Sequence, residues 1–133
     1  TTNPAAVSQA AAAAALRGPR DCVLEMRAAF ERRRDLIVGL LNALPGVSCR
    51  SPQGAFYAFA DFSGVLERRL PDGAAAVLAP DDKLAMWLLK TAHAASVSGS
   101  SFGAPGFLRL SYACSDEDIR AGVGAIGEAI AKA

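Results

Sequence analysis

The sequence predicts an α/β (α+β) fold, in which a small sheet of about three to four strands is covered by helices, with a long amphipathic helix near the N-terminus. Apolar side chains recur at three- and four-residue steps over residues 19–43, which indicates a helix with one buried stripe. Residues 55–62 are apolar on both alternating faces, which is typical of a strand inside a layered sheet. With 133 residues, the chain is expected to form a single domain spanning 1–133.

Two helices are predicted at the start of the chain. Residues 7–16 have high helix propensity, and Gly18-Pro19 ends this helix because proline cannot continue it. We expect residues 1–18 to form a linker and helix from a domain junction. The second helix covers 19–43 and ends before Pro45-Gly46. Its stripe consists of Val23, Met26, Phe30, Ile37, Leu40, Leu41 and Leu44.

Two strands follow the long helix. A short strand over 47–49 and a longer one over 55–62 are separated by turn residues at 51–54. The next segment, 63–80, contains several glycines and prolines and is predicted to be irregular, with a short helical turn near 65–69.

The second half of the chain predicts a helix and then two more strands. Asp81 or Asp82 is expected to cap a helix that runs to Ala92. A short strand over 94–98 leads into the loop 99–106. The strand over 107–112 alternates, with Phe107, Arg109 and Ser111 on one face and Leu108, Leu110 and Tyr112 on the other.

A final helix is predicted over 116–132. Ser115 and Asp118 have the spacing of a capping box, in which the serine hydroxyl accepts a hydrogen bond from a backbone amide in the first turn. We find no internal repeat and no second core.

Composition excludes several classes of protein. Fourteen Lys+Arg and thirteen Asp+Glu give a net charge of +1, which argues against a strongly basic nucleic-acid-binding protein. No charge-free apolar run approaches the roughly 20 residues of a membrane span, and no signal peptide is recognisable, so we expect a soluble, cytoplasmic chain. Three cysteines without a CxxC pair, and a single histidine, argue against a metal site and indicate reduced, buried thiols.

Arg109 is the main candidate for a functional side chain. It lies in an otherwise apolar strand, directly after a loop that contains three glycines. A guanidinium in such a place has a high desolvation cost unless an anion meets it. Two interpretations stay open from spacing alone: a bidentate clamp on the carboxylate of a ligand, or an ordinary ion pair within the fold.

Other polar residues favour structural roles. The loop 99–106 lacks the glycine patterns of nucleotide-binding loops, so it is predicted to be a tight connection. His93 is predicted to lie at a helix end, and Arg32-Arg33-Arg34 to form a solvated face or subunit contact. Neither Ser8 nor Ser111 has the His and Asp partners of a nucleophile. No lysine has an apolar context suited to Schiff-base chemistry. The chain has three: Lys83, Lys90 and Lys132.

Three blocks of sequence occur in a characteristic order. They are SQAAAAAAL, RRRDLIVGLLNALPGVSCRSPQGAFYAFADFS and SGSSFGAPGFLRLSYACSDEDI. These blocks resemble the C-terminal part of fold-type I pyridoxal-phosphate-dependent aminotransferases of the aspartate/aromatic group, over nearly the whole chain apart from 63–80. The resemblance implies that the chain is the small, C-terminal domain of a longer aminotransferase. A first residue, Thr1, that is not methionine fits this expectation.

The resemblance also implies roles for individual residues. The arginine of the family's R-x-S-x-A strand, here Arg109, binds the substrate α-carboxylate. Phe56 is expected to line the substrate pocket, and Thr2 to lie near the neighbouring subunit's active site and cofactor in an intact dimer. The family usually has Pro-Gly where this chain has Ser98-Gly99, which loosens the predicted shape of the loop. No catalytic residue is expected in this chain, because the family's Schiff-base lysine lies upstream of Thr1.

The activity implied by the resemblance is amino-group transfer between an L-amino acid, aspartate or similar, and a 2-oxo acid. It implies pyridoxal 5'-phosphate as the cofactor, and the large domain of the same enzyme and a second copy of the chain as partners. The chain alone is expected to be inactive and to hold no covalently bound cofactor. Two alternatives stay open: a pyridoxal-phosphate-dependent carbon–sulfur lyase with the same fold, and a non-enzymatic α+β binding module.

Overall fold

The computed structural model describes residues 3–66 and 79–132, and within them a four-stranded antiparallel sheet packs against helices. The strands are β1 (Ser48–Cys49), β2 (Tyr57–Asp61), β3 (Val97–Ser98) and β4 (Phe107–Ser111), in the spatial order β1-β2-β4-β3. The helices are α1 (Ala6–Arg17), α2 (Asp21–Asn42), α3 (Ser63–Leu66), α4 (Pro80–Ala92) and α5 (Asp116–Lys132). The predicted fold class is confirmed.

The long helix α2 is buried only along its second half. Ile37 and Leu41 are buried in the core, whereas Val23 and Met26 are each 57% exposed. The prediction of one buried stripe along the whole helix is therefore wrong for its first turns, because the described elements that cover α2 reach only its later turns. The helix before it, α1, has no buried residue.

The two central strands give the sheet two different faces. In the register of β2 and β4, Ala58 lies opposite Leu110, and Phe59 lies opposite Arg109. Ala58 and Leu110 belong to the buried core, together with apolar side chains of α2, α4 and α5. Phe59 and Arg109 are only half-buried. The alternation predicted for the last strand is thus confirmed, and the described helices cover one face of the sheet and leave the Arg109 face open.

All four strands are shorter than predicted, β1 and β4 by one residue each and β2 and β3 by three residues each. Ala55 has a φ of +61°, which takes it out of extended backbone, so β2 begins only at Tyr57. The hydroxyl of Tyr112 donates a hydrogen bond of 3.0 Å to the Ala55 carbonyl and fixes this bend. Of the strand predicted over 94–98, only Val97 and Ser98 pair with β4.

A side-chain amide holds the edge strand β1 in place. Asn42, the last residue of α2, donates a hydrogen bond of 2.9 Å to the Cys49 carbonyl and accepts one of 2.8 Å from the Cys49 amide. Both backbone groups of Cys49 are thereby satisfied, which a strand of two residues at a sheet edge otherwise cannot achieve.

The start of α4 differs from the prediction. Ala79 is the N-cap residue and Pro80 the first helical residue, a position that suits proline because its missing amide donor has no helical partner there. Asp81 and Asp82 lie in the first turn, and the prediction that one of them caps the helix is wrong. The short helix α3 stands in place of the turn predicted near 65–69, the rest of which lies outside the described residues.

The last helix has the predicted bounds and cap. Ser115 Oγ accepts a hydrogen bond of 3.0 Å from the Asp118 amide and donates one of 2.8 Å to the Asp118 carboxylate. Arg33 of α2 forms an ion pair of 3.4 Å with Asp116, which ties α2 to the first turn of α5. Arg34 instead pairs with its neighbour Asp35 at 2.8 Å.

The remaining expectations concern His93 and the cysteines. His93 is exposed and ends α4 in the left-handed conformation, with a φ of +51°, as expected for a helix-end histidine. Cys49 is buried, Cys114 is half-buried and Cys22 is exposed, and all three are free thiols. The prediction of buried thiols is wrong for Cys22, because it lies in the uncovered first turns of α2.

Candidate functional site

Arg109 lies in the middle of β4, opposite Phe59 of β2 on one side and Val97 of β3 on the other. Its guanidinium carbon is 4.3 Å from the centre of the Tyr57 ring and 4.5 Å from the centre of the Phe102 ring. The ion pairs among the described residues involve other cations, namely Arg27, Arg33, Arg34 and Lys132. Within residues 3–66 and 79–132, the guanidinium therefore has aromatic neighbours and no acidic partner.

This contact leaves the Arg109 donors available. An aromatic ring attracts a guanidinium through the faces of the two groups, at distances below about 6 Å. The N–H donors of the guanidinium lie in its own plane and project from its edge. Stacking on Tyr57 and Phe102 thus restrains the orientation of the group without using its hydrogen bonds. The free edge has the fork geometry that binds a planar carboxylate through two parallel hydrogen bonds.

Four aromatic side chains surround the arginine on the open face of the sheet, and we call them the aromatic face: Tyr57, Phe59, Phe102 and Phe107. The Phe59 ring stacks on Phe107 with ring centres 5.1 Å apart, and meets Phe102 edge-on at 6.2 Å. An apolar surround lowers the local dielectric constant, which strengthens a charge-assisted hydrogen bond to an anion. The arrangement can therefore bind an acid group more tightly than an exposed arginine can.

Tyr57 and Phe102 were not among the residues singled out from the sequence. The alternation of β2 would have placed Tyr57 and Phe59 on one face, but the register that sets this face against Arg109 is a long-range pairing. Phe102 lies in a loop, where no periodicity indicates the direction of a side chain.

Phe56 takes a different position from Tyr57. Its ring lies 6.3 Å from the Phe30 ring of α2 and 4.5 Å from the Tyr57 ring, and it is 41% exposed. Phe56 contacts α2 through the Phe30 ring, and its described ring contacts reach Arg109 only through the Tyr57 ring. Its part in lining a substrate pocket stays a prediction. Thr2, the other residue implied by the resemblance, lies outside the described residues.

The loop that carries Phe102 is tied to the start of α4. Its first residues form a 3₁₀ turn, Gly99–Phe102. Asp81, which is fully buried, accepts hydrogen bonds of 2.7 Å from both the amide and the hydroxyl of Ser100. Asp82 accepts a hydrogen bond from the Ser98 hydroxyl, whose oxygen also lies 3.2 Å from that of Ser101. The two carboxylates thus bind the 3₁₀ turn and the end of β3 to the start of α4.

The backbone at Ser98-Gly99 is compatible with the Pro-Gly pair that the family usually has at this place. Ser98 has a φ of −62°, an angle that proline also takes. At Gly99, any side chain would collide with the Ala104 carbonyl oxygen. The loop is therefore a tight connection, as predicted.

The hydrogen bonds to Asp81 favour its charged form. Burial acts to raise the pKa of Asp81, but the hydrogen bonds from the hydroxyl and the amide of Ser100, with further contributions from the backbone amides of Asp81 itself and of Gly106, bring the pKa below its ordinary value. Asp81 is thus a carboxylate at neutral pH.

The sequence of the chain is similar to those of known proteins. The model of the aminotransferase class I and II family matches residues 2–126. An aspartate aminotransferase from Rhizobium meliloti is 45% identical over 120 residues, which are 90% of this chain and 29% of that protein. A probable aspartate/prephenate aminotransferase from Aquifex aeolicus is 46% identical over 131 residues, 97% of this chain and 31% of that protein.

A solved structure shows the same likeness in three dimensions. The crystal structure of the aspartate aminotransferase from Rhizobium meliloti superposes with a TM-score of 0.88 and 42% identity, over 98% of this chain and 32% of that one. The chain thus spans about a third of the length of the relatives it matches.

Proposed function

The chain belongs to the class I and II aminotransferase family, and from this we propose that it is the small, C-terminal domain of a pyridoxal-phosphate-dependent transaminase in which Arg109 binds the substrate α-carboxylate. The parent enzyme would move an amino group between an L-amino acid and a 2-oxo acid. Relatives named aspartate aminotransferase and aspartate/prephenate aminotransferase support aspartate or a similar acid as the amino donor.

One observation carries the proposed role of Arg109. Its guanidinium rests on Tyr57 and Phe102 at 4.3 and 4.5 Å and has no acidic partner among the described residues, on the one face of the sheet that the described helices leave open. A half-buried cation without an anion is unfavourable unless a ligand supplies the anion. Both amino-acid and 2-oxo-acid substrates carry such a carboxylate, so one clamp serves both half-reactions.

In this role the residues of the chain bind and orient the substrate. Two parallel hydrogen bonds from Arg109 fix the carboxylate plane and with it the direction of the bonds at Cα, which is a contribution of positioning. The aromatic face excludes water from these bonds. Pyridoxal phosphate, the cofactor of the family, supplies the electron sink that stabilises negative charge at Cα.

The covalent anchor for this cofactor would be a lysine. The chain has three lysines; Lys90 is exposed, Lys132 pairs with Glu128 at 3.5 Å, and Lys83 is half-buried on α4. All three belong to α4 and α5, the helices that pack on the other face of the sheet from Arg109. We therefore propose that the anchor lies on other polypeptide of the same enzyme, and that this chain alone is inactive.

The proposed partners are the large domain of the same enzyme and a second subunit. Apolar side chains on the outer turns of α1 and α2 support this, because Leu16 is 85% and Leu24 57% exposed. A surface of this kind is typical of a contact region in a larger assembly.

A cytoplasmic location is likewise proposed, and three observed free thiols favour a reducing compartment. In the described parts of the chain, no helix combines the length and the apolar character that crossing a bilayer requires.

The proposed function is tested by steady-state kinetics of Arg109→Ala in the full-length enzyme with aspartate and 2-oxoglutarate. Loss of a charge-assisted bidentate contact is expected to lower kcat/KM for aspartate by about a hundredfold or more. Arg120→Ala, which removes an exposed arginine of α5, is the matched control and should change kcat/KM less than about twofold. A near-normal kcat/KM in Arg109→Ala would refute the assignment, and release of a sulfur-containing product from sulfur amino acids would identify a lyase instead.

A further inference from the structure

We propose that Asp81 is a positioning residue, which holds Phe102 against the Arg109 guanidinium and thereby sets the affinity of the enzyme for carboxylates. This inference rests on the proposed function of Arg109 and extends it to a residue that touches neither the substrate nor the arginine.

Internal hydrogen bonds fix the shape of the loop but not its place. The Gly103 amide donates to the Ser100 carbonyl at 3.1 Å, and the Ala104 amide donates to the Gly99 carbonyl at 2.9 Å. These bonds join residues of the same loop. The far end of the loop is held by the Phe62 amide, which donates a bond of 2.8 Å to the Gly106 carbonyl, so the turn that carries Phe102 needs a tie of its own at the other end. Glycine at 99, 103 and 106 gives the backbone of this loop more freedom than other residues would.

The tie between the loop and the helix layer is made by Asp81. Both of its carboxylate oxygens accept hydrogen bonds of 2.7 Å from Ser100, one from the amide and one from the hydroxyl. Ser100 is two residues before Phe102 in the same 3₁₀ turn, so fixing Ser100 fixes the start of the Phe102 side chain. The bond from Ser98 to Asp82 holds the preceding residue of β3 in the same way.

Phe102 depends on this tie for its position. Its ring is 51% exposed, and its described ring contacts are the edge of Phe59 at 6.2 Å and the Arg109 guanidinium at 4.5 Å. Such a ring has few neighbours to hold it. A shift of the turn would therefore remove one of the two aromatic contacts that orient Arg109.

The burial of Asp81 favours a role in holding the turn over a role in general stability. A fully buried carboxylate is costly unless every lone pair has a donor, and an apolar residue at the same site would avoid that cost. What an apolar residue cannot do is accept two hydrogen bonds from one residue of a glycine-rich turn. The desolvation cost of the Asp81 carboxylate is thus offset by the two hydrogen bonds that fix the turn.

The inference is tested by calorimetric titration of the full-length protein with succinate, an inert dicarboxylate, for Asp81→Asn, Phe102→Leu and the double variant. Asp81→Asn should raise the dissociation constant about three- to tenfold, the range expected from losing one cation–π contact. In the Phe102→Leu background the same change should add less than about twofold, because the contact it supports is already gone. Saturating kcat should fall less than about threefold in Asp81→Asn, since the effect lies in binding.

Two further variants separate positioning from stability. Ser100→Ala keeps the carboxylate and the amide bond but removes the hydroxyl bond, and should give a smaller rise in the same direction. Ser115→Ala removes the cap of α5 and lowers the unfolding temperature without touching the turn, so it should leave the dissociation constant unchanged.

Each remaining outcome has a definite meaning. An equal rise from Asp81→Asn in both backgrounds, or a rise in Ser115→Ala, would overturn the positioning role and indicate general destabilisation. Weak succinate binding in Arg109→Ala together with normal binding in Asp81→Asn would overturn the inference and leave the proposed function intact. Normal binding in Arg109→Ala would overturn the proposed function itself.

Discussion

At the scale of single residues, the site is a cation restrained by aromatic rings. Tyr57 and Phe102 take the place that an acidic residue would have in an ordinary ion pair, and they differ from an acid in one decisive respect. An acid would satisfy the Arg109 donors and remove them from use. The rings restrain the group and leave its donors for a ligand.

A prediction about Tyr57 follows from this difference. Tyr57→Leu should weaken succinate binding to the full-length protein about three- to tenfold, whereas Tyr57→Phe should change it less than about twofold, because only the ring is needed. Calorimetric titration measures both. Equal damage from the two variants would show that the hydroxyl of Tyr57, and not its ring, contributes to binding.

A second prediction at this scale concerns the stability of the chain against pH. The pKa of Asp81 is lower in the folded chain than its ordinary value of 3.8, so the unfolded chain binds the proton more readily. The contribution of Asp81 is therefore complete above pH 3.8 and is lost as the pH falls towards the lower, folded pKa. In urea unfolding, Asp81→Asn should lower the free energy of unfolding by about 1–3 kcal/mol at pH 7, relative to the chain without the substitution.

The same difference should shrink as the pH is lowered below 3.8. Asp61→Asn offers a comparison: hydrogen bonds from Ser63 also lower the pKa of Asp61, but this group lies outside the loop and is more exposed, so its effect should be smaller. A difference between parent and Asp81→Asn that does not change from pH 7 to acid would contradict the account of Asp81 as a buried carboxylate.

The position of Arg109 on its strand was predictable from the sequence, and its aromatic neighbours were not. A charged residue in an apolar strand is recognisable from the sequence alone, because its apolar sequence neighbours already indicate a high desolvation cost. Tyr57 and Phe102 acquire their role only from a register between distant strands and from the tilt of a loop, neither of which a local pattern contains.

At the scale of elements, the loop from Gly99 to Gly106 has the tightest backbone near the site. Gly99→Ala is expected to lower the free energy of unfolding by about 1–3 kcal/mol, because the added methyl group would meet the Ala104 carbonyl oxygen. Gly124→Ala in α5 is the matched control: nothing lies within 4 Å of the added group, so the chain should gain up to about 1 kcal/mol from helix propensity. Urea unfolding of both variants measures the two effects, and a stabilising Gly99→Ala would show that the loop is not close-packed.

The helices show which parts of an element a sequence can predict. The bounds and cap of α5 were predictable because Ser115 and Asp118 bond within their own turn. At the start of α4, the same residue types bond outwards to Ser100 and Ser98, and sequence spacing alone does not distinguish the two cases. The sequence pattern of α2 correctly predicted an apolar stripe. It did not predict how much of this stripe the other described elements would bury.

At the scale of the whole molecule, the sheet separates two functions. One face packs Ala58, Ala60, Leu108 and Leu110 against the helices and supplies the core. The other presents the aromatic face and Arg109. The fold class was predictable because the order of helices and strands constrains it, whereas no local pattern told which parts of α1, α2 and the sheet the described elements would leave uncovered.

The central claim is that Arg109 itself contacts the carboxylate of the ligand. The most direct measurement is a two-dimensional NMR titration of the full-length protein, with ¹⁵N-labelled arginine, in which succinate is added and the side-chain N–H signals are followed. We predict that the Arg109 signal, assigned by its loss in Arg109→Lys, moves with succinate while that of Arg120 stays in place. A titration in which the Arg109 signal stays fixed while succinate binds would contradict the account.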